Sequence, residues 1–419
     1  MILTVIIHYY QQFFTGPDAP GTLTPRKLMR RLAQAGHKVH VVATDFNVYN
    51  EQSEPPERET FPNGGSWTVH RVSSARGLRR GLRARLHTYL GFTLPAYRFA
   101  RTLPRPDVVI GSIQPLFTGL VAQRIAGRWR VPFLLEIRDL WPDALEAKRA
   151  ISPLQAWPLH RLANFLYARA DRIVSLTPGI KKVLVKKGIS AAKIDVFPNG
   201  FDPVMYDLPA GTREKVRAER GWDSQFIAVF TGTHVEVTAV ETIVRAANEL
   251  RDRKDIRFEL FGKGQRKAAA MQLAQELKLS NIHFNDPVSK GQIPGILDAA
   301  DVALMTLFKC PMIDIYFENK LVDYMGAGKP ILAAMDGMQG GLIEQQCAGR
   351  VVGSFDHIGL AKLVTEAAAA PEATASLGRN GRKFAGEQLL LENILDGYMN
   401  RIQHLAQGRA NNLSATDIV

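Results

Sequence analysis

Phe226-Ile227-Ala228-Val229-Phe230-Thr231-Gly232 and Ile256-Arg257-Phe258-Glu259-Leu260-Phe261-Gly262 are short, mostly apolar runs, each stopped by a glycine. Runs of this kind, rich in Val, Ile and Phe, read as strands of a parallel sheet covered on both faces. Ala239–Leu250 between them carries a helical pattern, so the unit reads strand, helix, strand. The alternation continues with a helix over Lys267–Lys278, a strand over Asn281–Phe284 and a helix over Ile293–Ala300. A strand over Val302–Thr306, a helix over Leu321–Ala327 and a strand over Pro330–Ala334 complete it. That order predicts a doubly wound α/β domain.

The first half of the chain shows the same alternation. Strands are expected over Met1–Ile7, Val39–Ala43, Asp107–Gly111, Pro132–Ile137, Arg172–Leu176 and Lys193–Val196. A helix over Thr24–Ala35, with apolar Leu28, Leu32 and Ala35, is closed by Gly36. Pro198-Asn199-Gly200-Phe201-Asp202-Pro203 is a turn-rich break and marks a domain boundary. The expected organisation is a domain over 1–200 and a second over 201–385. A helix over 386–407 returns to the first, and a frayed polar tail covers 408–419. Two Rossmann-like doubly wound domains in series predict a cleft between them, with ligands at the carboxyl ends of the strands.

Composition narrows the class further. The 419 residues hold 53 Lys and Arg against 40 Asp and Glu, a net charge of +13. Such an excess predicts attraction to polyanions: nucleic acid, anionic lipid or phosphorylated substrates. Cys310 and Cys347 are too few for a disulfide framework or a metal cluster and read as core residues in a reducing compartment. No apolar run reaches the ~18 residues of a membrane span. The first strand lacks the basic flank of a signal peptide, so a cytoplasmic protein is expected.

Chemistry concentrates in Glu318-Asn319-Lys320-Leu321-Val322-Asp323-Tyr324-Met325-Gly326-Ala327-Gly328-Lys329-Pro330. A lysine at a helix N-terminus is an anion site, because free N–H groups and a positive charge converge there. Asp323 lies one turn after Lys320 on the same face, where it can accept hydrogen bonds from a ribose diol while the lysine holds a diphosphate. The bland alternative is a solvated Glu-Lys-Asp face with a glycine cap.

The order Asn319-Lys320-Leu321-Val322-Asp323-Tyr324-Met325-Gly326-Ala327-Gly328-Lys329-Pro330 resembles the signature of glycosyltransferase family 4, retaining enzymes of the GT-B fold. Four further stretches resemble the family in the same order. They are Leu23–Ala43, Glu136–Pro142 (Glu-Ile-Arg-Asp-Leu-Trp-Pro), Val196–Asp202 and Phe258–Gly264. The second resembles a subgroup that builds bacterial surface polysaccharides. The resemblance implies that Asp323 holds the donor ribose and that Asn319 and Lys320 lie at the diphosphate. It implies that Gly232, Gly262 and Lys263 line the phosphate loops, that Pro287 and Val288 face the base, and that Gly21 approaches from the first domain.

Three departures stand out against the family pattern. The second acidic residue, eight positions before the ribose acid, is replaced by Ile315, leaving Asp314 or Glu318 to contact the sugar. The usual Arg and Lys after the Gly232 strand are missing, with Thr233 and Thr238 in their place, so Lys320 carries more of the diphosphate charge, with His234 beside it. The usual cleft histidine aligns with Arg138, which with Asp139 either positions the acceptor or forms an internal ion pair. Arg138, Asp139 and Glu318 are therefore the candidate catalytic residues. No Asp-x-Asp pair of metal-binding type lies in a suitable loop, so no metal or cofactor is expected.

No acidic residue lies between Glu59 and Asp107, where arginines including Arg79, Arg80, Arg83 and Arg85 alternate with Leu and aromatic residues. That pattern suits an interfacial helix on anionic lipid; solvated arginines on an ordinary core helix are the alternative. RNA binding is a third reading, but no nucleic-acid module accompanies the patch, so no nucleic-acid partner is expected. The combined expectation is a hexosyl- or N-acetylhexosaminyltransferase using a UDP-sugar, N-acetylated or deoxy. It acts on a lipid-linked diphosphate glycan of O-antigen or capsule at the inner face of the bacterial membrane. The rivals are a sugar-nucleotide epimerase of the same architecture and a basic peripheral-membrane or RNA-binding protein with a relict nucleotide site.

Overall fold

The computed structural model describes residues 4–16, 24–48, 51–77, 82–113, 115–147, 150–222, 224–310, 312–315 and 317–408. Two compact units emerge: Met1–Asn199 with the chain from Glu392 onward, and Gly200–Leu391.

In the first unit the strands are β1 (Ile6–Tyr10), β2 (Lys38–Thr44), β3 (Glu57–Thr60), β4 (Ser66–Val72), β5 (Val108–Ser112), β6 (Phe133–Ile137), β7 (Arg172–Ser175) and β8 (Ile194–Val196). They form one sheet in the order β3-β4-β2-β1-β5-β6-β7-β8. Every pairing is parallel except β3 with β4. The β3–β4 hairpin is absent from the sequence reading. Its outer strand is polar, and Glu57 and Glu59 are tied to Arg26 and Arg30 of the first helix at 2.6 and 2.8 Å. An edge strand held by ion pairs carries no apolar run to detect.

In the second unit β9 (Phe226–Thr231), β10 (Ile256–Phe261), β11 (Ile282–Asn285), β12 (Val302–Thr306), β13 (Ile331–Ala334) and β14 (Gly349–Val352) follow one another. Their order is β11-β10-β9-β12-β13-β14 and all pairings are parallel. Neighbouring β9 residues bury opposite faces: Ile227 and Val229 join one core cluster, Ala228 and Phe230 the other. Burial on both sides is why this strand reads as continuous apolar sequence. The order reverses between β9 and β12, and a ligand crevice belongs at the carboxyl ends beside that reversal.

The second unit runs to Leu391 and not to residue 385, because the helix Pro371–Gln388 continues through the expected boundary. The final helix, Leu391–Ala406, packs on the first unit. There Arg401 meets Asp195 at 2.7 Å, Asp396 meets Arg31 at 2.7 Å, and the Gln403 amide lies 2.8 Å from the His37 ring. The expected tail from 409 lies outside the described residues. Neither cysteine sits in the core, contrary to expectation: Cys347 is exposed in a left-handed turn after the helix Met338–Gln345, and Cys310 is half-buried in the loop after β12.

Candidate functional site

Gly232 ends β9 at φ +146°, and Gly262 ends β10 at φ +151°. A β-carbon on Gly262 would strike the Gly232 carbonyl oxygen, so the two strand-end loops touch backbone to backbone. They are laced together: the amide of Gly232 donates to Phe261 O at 2.9 Å and that of His234 to Lys263 O at 3.0 Å. Only glycine permits this approach in this conformation.

Lys320 reaches this crossing from the helix Asn319–Gly326. A β-carbon on Gly232 would lie 3.3 Å from its Nζ. The ammonium is buried, 4.3 Å from the Phe230 ring centroid and 3.1 Å from Glu318 Oε2, with no directed hydrogen bond among the described residues. A buried charge this sparsely satisfied is expensive in the absence of an anion. Beside it His234 is fully buried between the Phe230 and Phe284 rings, and neither ring nitrogen has a partner among the described residues. Burial, with Lys267 and Lys320 nearby, brings its pKa down to about 4, so the imidazole is neutral.

Asp323 shares the helix with Lys320 but not its partners. Its Oδ1 accepts the Tyr206 hydroxyl at 2.7 Å, and Lys290 supplies the nearby positive charge. Burial raises the carboxyl pKa despite both. Tyr206, from the short helical turn Pro203–Tyr206, was not singled out in the sequence; only its place just after the domain break could have marked it.

The remaining candidates sort by contact. Asp314 accepts from the Met338 amide at 2.9 Å and so serves the start of the next helix, while Ile315 is in the core. Glu318 is therefore the carboxylate placed next to Lys320. Thr233 is exposed, and its carbonyl accepts the Thr238 hydroxyl at 2.9 Å, so this pair shapes the loop in place of the expected cations. Lys263 and Asn319 are exposed. Pro287 is exposed, and Val288 packs on the core.

In the first unit Arg138 follows β6. Its Nη1 lies 3.5 Å from Glu136 Oε1, and its Nη2 donates to Asn199 Oδ1 at 3.1 Å. Glu136 also accepts the Tyr9 hydroxyl at 2.7 Å. Asp139 accepts from the Trp141 indole at 3.1 Å. Gly21, Arg79 and Arg80 lie outside the described residues, and Arg83 is placed by its backbone alone.

Residues 22–200 match the family model described as a glycosyl transferase 4-like domain, and residues 225–369 match glycosyl transferases group 1. The chain belongs to the glycosyltransferases. Among curated relatives, this glycosyltransferase is 26% identical to the MMP alpha-(1->4)-mannosyltransferase of Mycolicibacterium hassiacum, over 88% of this chain and 90% of that protein. It is 22% identical to WcaI of Escherichia coli, named as a candidate colanic acid biosynthesis glycosyl transferase, over 72% and 76%. Among solved structures it resembles Anabaena HepE in complex with UDP-glucose (TM-score 0.70, 16% identity, 94% and 98% covered). It also resembles sucrose-phosphate synthase of Thermosynechococcus elongatus (TM-score 0.76, 18% identity, 97% and 100% covered). These likenesses give the glycosyltransferase the GT-B fold, with its two Rossmann-like halves.

Among the described residues, no helix is long and apolar enough to cross a membrane. On the helix Leu82–Ala100 of the glycosyltransferase, Thr88, Phe92, Ala96 and Ala100 are buried. Leu86, Leu90 and Leu94 are 44, 47 and 52% exposed, and Arg85 and Arg98 are exposed with them. The mixed pattern of this segment thus resolves into a core face and a second, solvent-facing leucine stripe.

Proposed function

We propose that the protein is a retaining, family 4 enzyme that transfers a hexosyl group, N-acetylated or deoxy, from a UDP-sugar to a lipid-linked diphosphate glycan. The product would be bacterial surface polysaccharide, O-antigen or capsule, made at the inner face of the cell membrane. The observation that carries the donor half is the buried Lys320 ammonium, lodged against the touching Gly232 and Gly262 loops at the sheet reversal. An anion there would gain a charge-assisted bond in a low dielectric, with the backbone amides close by. The complexes of HepE with UDP-glucose and the colanic acid name of WcaI support UDP and polysaccharide synthesis.

In this reading the transfer leaves a diphosphate and an oxocarbenium-like centre, which placed cations stabilise more than a strong base would. Lys320 neutralises the leaving diphosphate without a metal or cofactor, Asp323 binds ribose and Glu318 faces the transferred sugar. Arg138 and Asp139 position the acceptor side. The exposed Leu86–Leu90–Leu94 stripe with its arginines supplies the membrane contact.

The test is a melting-temperature screen against UDP-, GDP- and dTDP-sugars, followed by NMR of the anomeric configuration of the product. A UDP-sugar should raise the melting temperature most, and its slow hydrolysis should disappear in Asp323→Ala. If no UDP-sugar at millimolar concentration shifts the transition, the donor assignment fails.

A further inference from the structure

We propose that His234 takes up a proton from solvent when the donor diphosphate binds, and so becomes the second cation of the site. This rests on the reading above that the Gly232–Gly262–Lys320 crossing holds that diphosphate. The loop carries Thr233 and Thr238 where resemblance to the family leads one to expect Arg and Lys, and the Thr238 hydroxyl is spent on the loop's own hydrogen bonds, one of them to the Thr233 carbonyl. One cation, Lys320, then faces a group of at least two negative charges.

The imidazole is built for a change of state. It is fully buried, yet both ring nitrogens lack partners among the described residues, an arrangement that leaves polar atoms unsatisfied in the unliganded protein. A β-carbon on Gly262 would lie 3.0 Å from its Cε1, so the ring sits directly behind the phosphate loop. Its amide and carbonyl are pinned, the first to Lys263 O and the second by the Arg266 amide at 2.9 Å. These two bonds tie the backbone that carries the ring to the loop after β10.

Burial is the largest cause of the direction, and the charged groups facing the ring add to it. Lys320, from the helix Asn319–Gly326, and Lys267, from the helix Lys267–Glu276, both disfavour the imidazolium. Glu318 pairs with Lys320 at 3.1 Å and Asp286 with Lys267 at 3.3 Å, so each lysine's charge is partly balanced. From β9 and β11 the uncharged Phe230 and Phe284 rings approach. An arriving dianion reverses the sign of the local field, and the proton then binds where it was repelled. Free and bound forms that differ in proton affinity make ligand affinity depend on pH, by the linkage that governs folding. Donor affinity should rise as pH falls towards the free-state value of about 4, with a limit of about tenfold per pH unit for one proton.

The experiment is isothermal calorimetry of UDP binding to the full chain at about pH 6, in two buffers of different ionisation enthalpy, for wild type and His234→Gln. Protonation of UDP's own terminal phosphate is common to both proteins and cancels in the difference. Wild type should take up several tenths of a proton more than the variant, and its affinity should gain more on acidification. Equal uptake with intact UDP binding overturns the proposal and leaves the donor site standing. No UDP binding by wild type removes the donor reading and this inference with it. Because glutamine could disturb the packing, a measurement on wild type alone stands beside it. On UDP addition one histidine Cε1 resonance should move to the imidazolium position; if none moves, the inference is wrong.

Discussion

Lys320 and Asp323 lie one helical turn apart, yet the fold gives them different work. Lys320 is a buried ammonium beside Glu318, with the Gly232 backbone on its open side. Truncation removes the only charge aimed at that crossing from this helix, so Lys320→Ala should weaken UDP binding tenfold or more, about 1.4 kcal/mol. An unchanged calorimetric affinity would show that the diphosphate binds elsewhere. Asp323 is held through Oδ1 by Tyr206, whose hydroxyl pKa is raised by burial and by that carboxylate. Tyr206→Phe removes one hydrogen bond to a charged group, about 1.5–3 kcal/mol in such cases. If Asp323 grips the ribose, the loss should appear as a higher donor KM with kcat nearly unchanged. Steady-state kinetics with KM unaltered would separate Asp323 from the ribose. The lysine and aspartate are legible in sequence because a helix fixes their spacing. Tyr206 is not legible, since it comes from another segment and meets Asp323 only through tertiary packing.

At the scale of elements, β9, β10 and β12 are legible because both of their faces are covered, whereas the edge strand β3 is hidden by its ion pairs and its neighbour β4 by the polar residues that interrupt its apolar ones. The same region hides a second feature. His8 of β1, His40 of β2 and His70 of β4 gather on adjacent strands. The His40 and His70 rings are stacked at 5.3 Å with nitrogens 3.0 Å apart, and His8 meets His40 edge-on at 5.5 Å. No spacing in the sequence announces this, because three separate strands supply the rings. Burial is the largest cause in each case, and it lowers the His40 pKa, with His70 brought to about 4 and His8 to about 3. Unfolded histidine titrates near pH ~6.5, so below that the unfolded chain binds more protons than the folded one. Stability should therefore be lost as pH falls from about 6.5 towards 4 and be flat above about 7. Thermal melts should show a falling midpoint over that window, with a shallower slope for His70→Gln. A midpoint independent of pH between 7 and 5 would mean that the cluster is not kept neutral by the fold.

For the whole molecule, the +13 charge and the leucine stripe of Leu82–Ala100 bear on the same question. A core helix with solvated arginines would bury its leucines. Here Phe92 and Ala96 form the buried face, while Leu86, Leu90 and Leu94 remain 44–52% exposed at four-residue spacing. Exposed leucines beside arginines are unfavourable in water but favourable at an anionic bilayer surface, where the apolar side chains enter the headgroup region and the cations meet lipid phosphates. Each arginine near such a surface contributes ~1 kcal/mol, an attraction that salt screens within about a Debye length. Burying the three half-exposed leucines adds a term that salt does not screen. The protein should thus sediment more strongly with vesicles containing phosphatidylglycerol than with neutral ones, and weaken as salt rises without losing binding altogether. Arg85→Glu with Arg98→Glu should weaken binding at low salt and flatten its dependence on salt. Leu86→Ser, Leu90→Ser and Leu94→Ser together should remove the part that salt leaves behind. If all of these variants sediment like wild type, the stripe does not meet lipid.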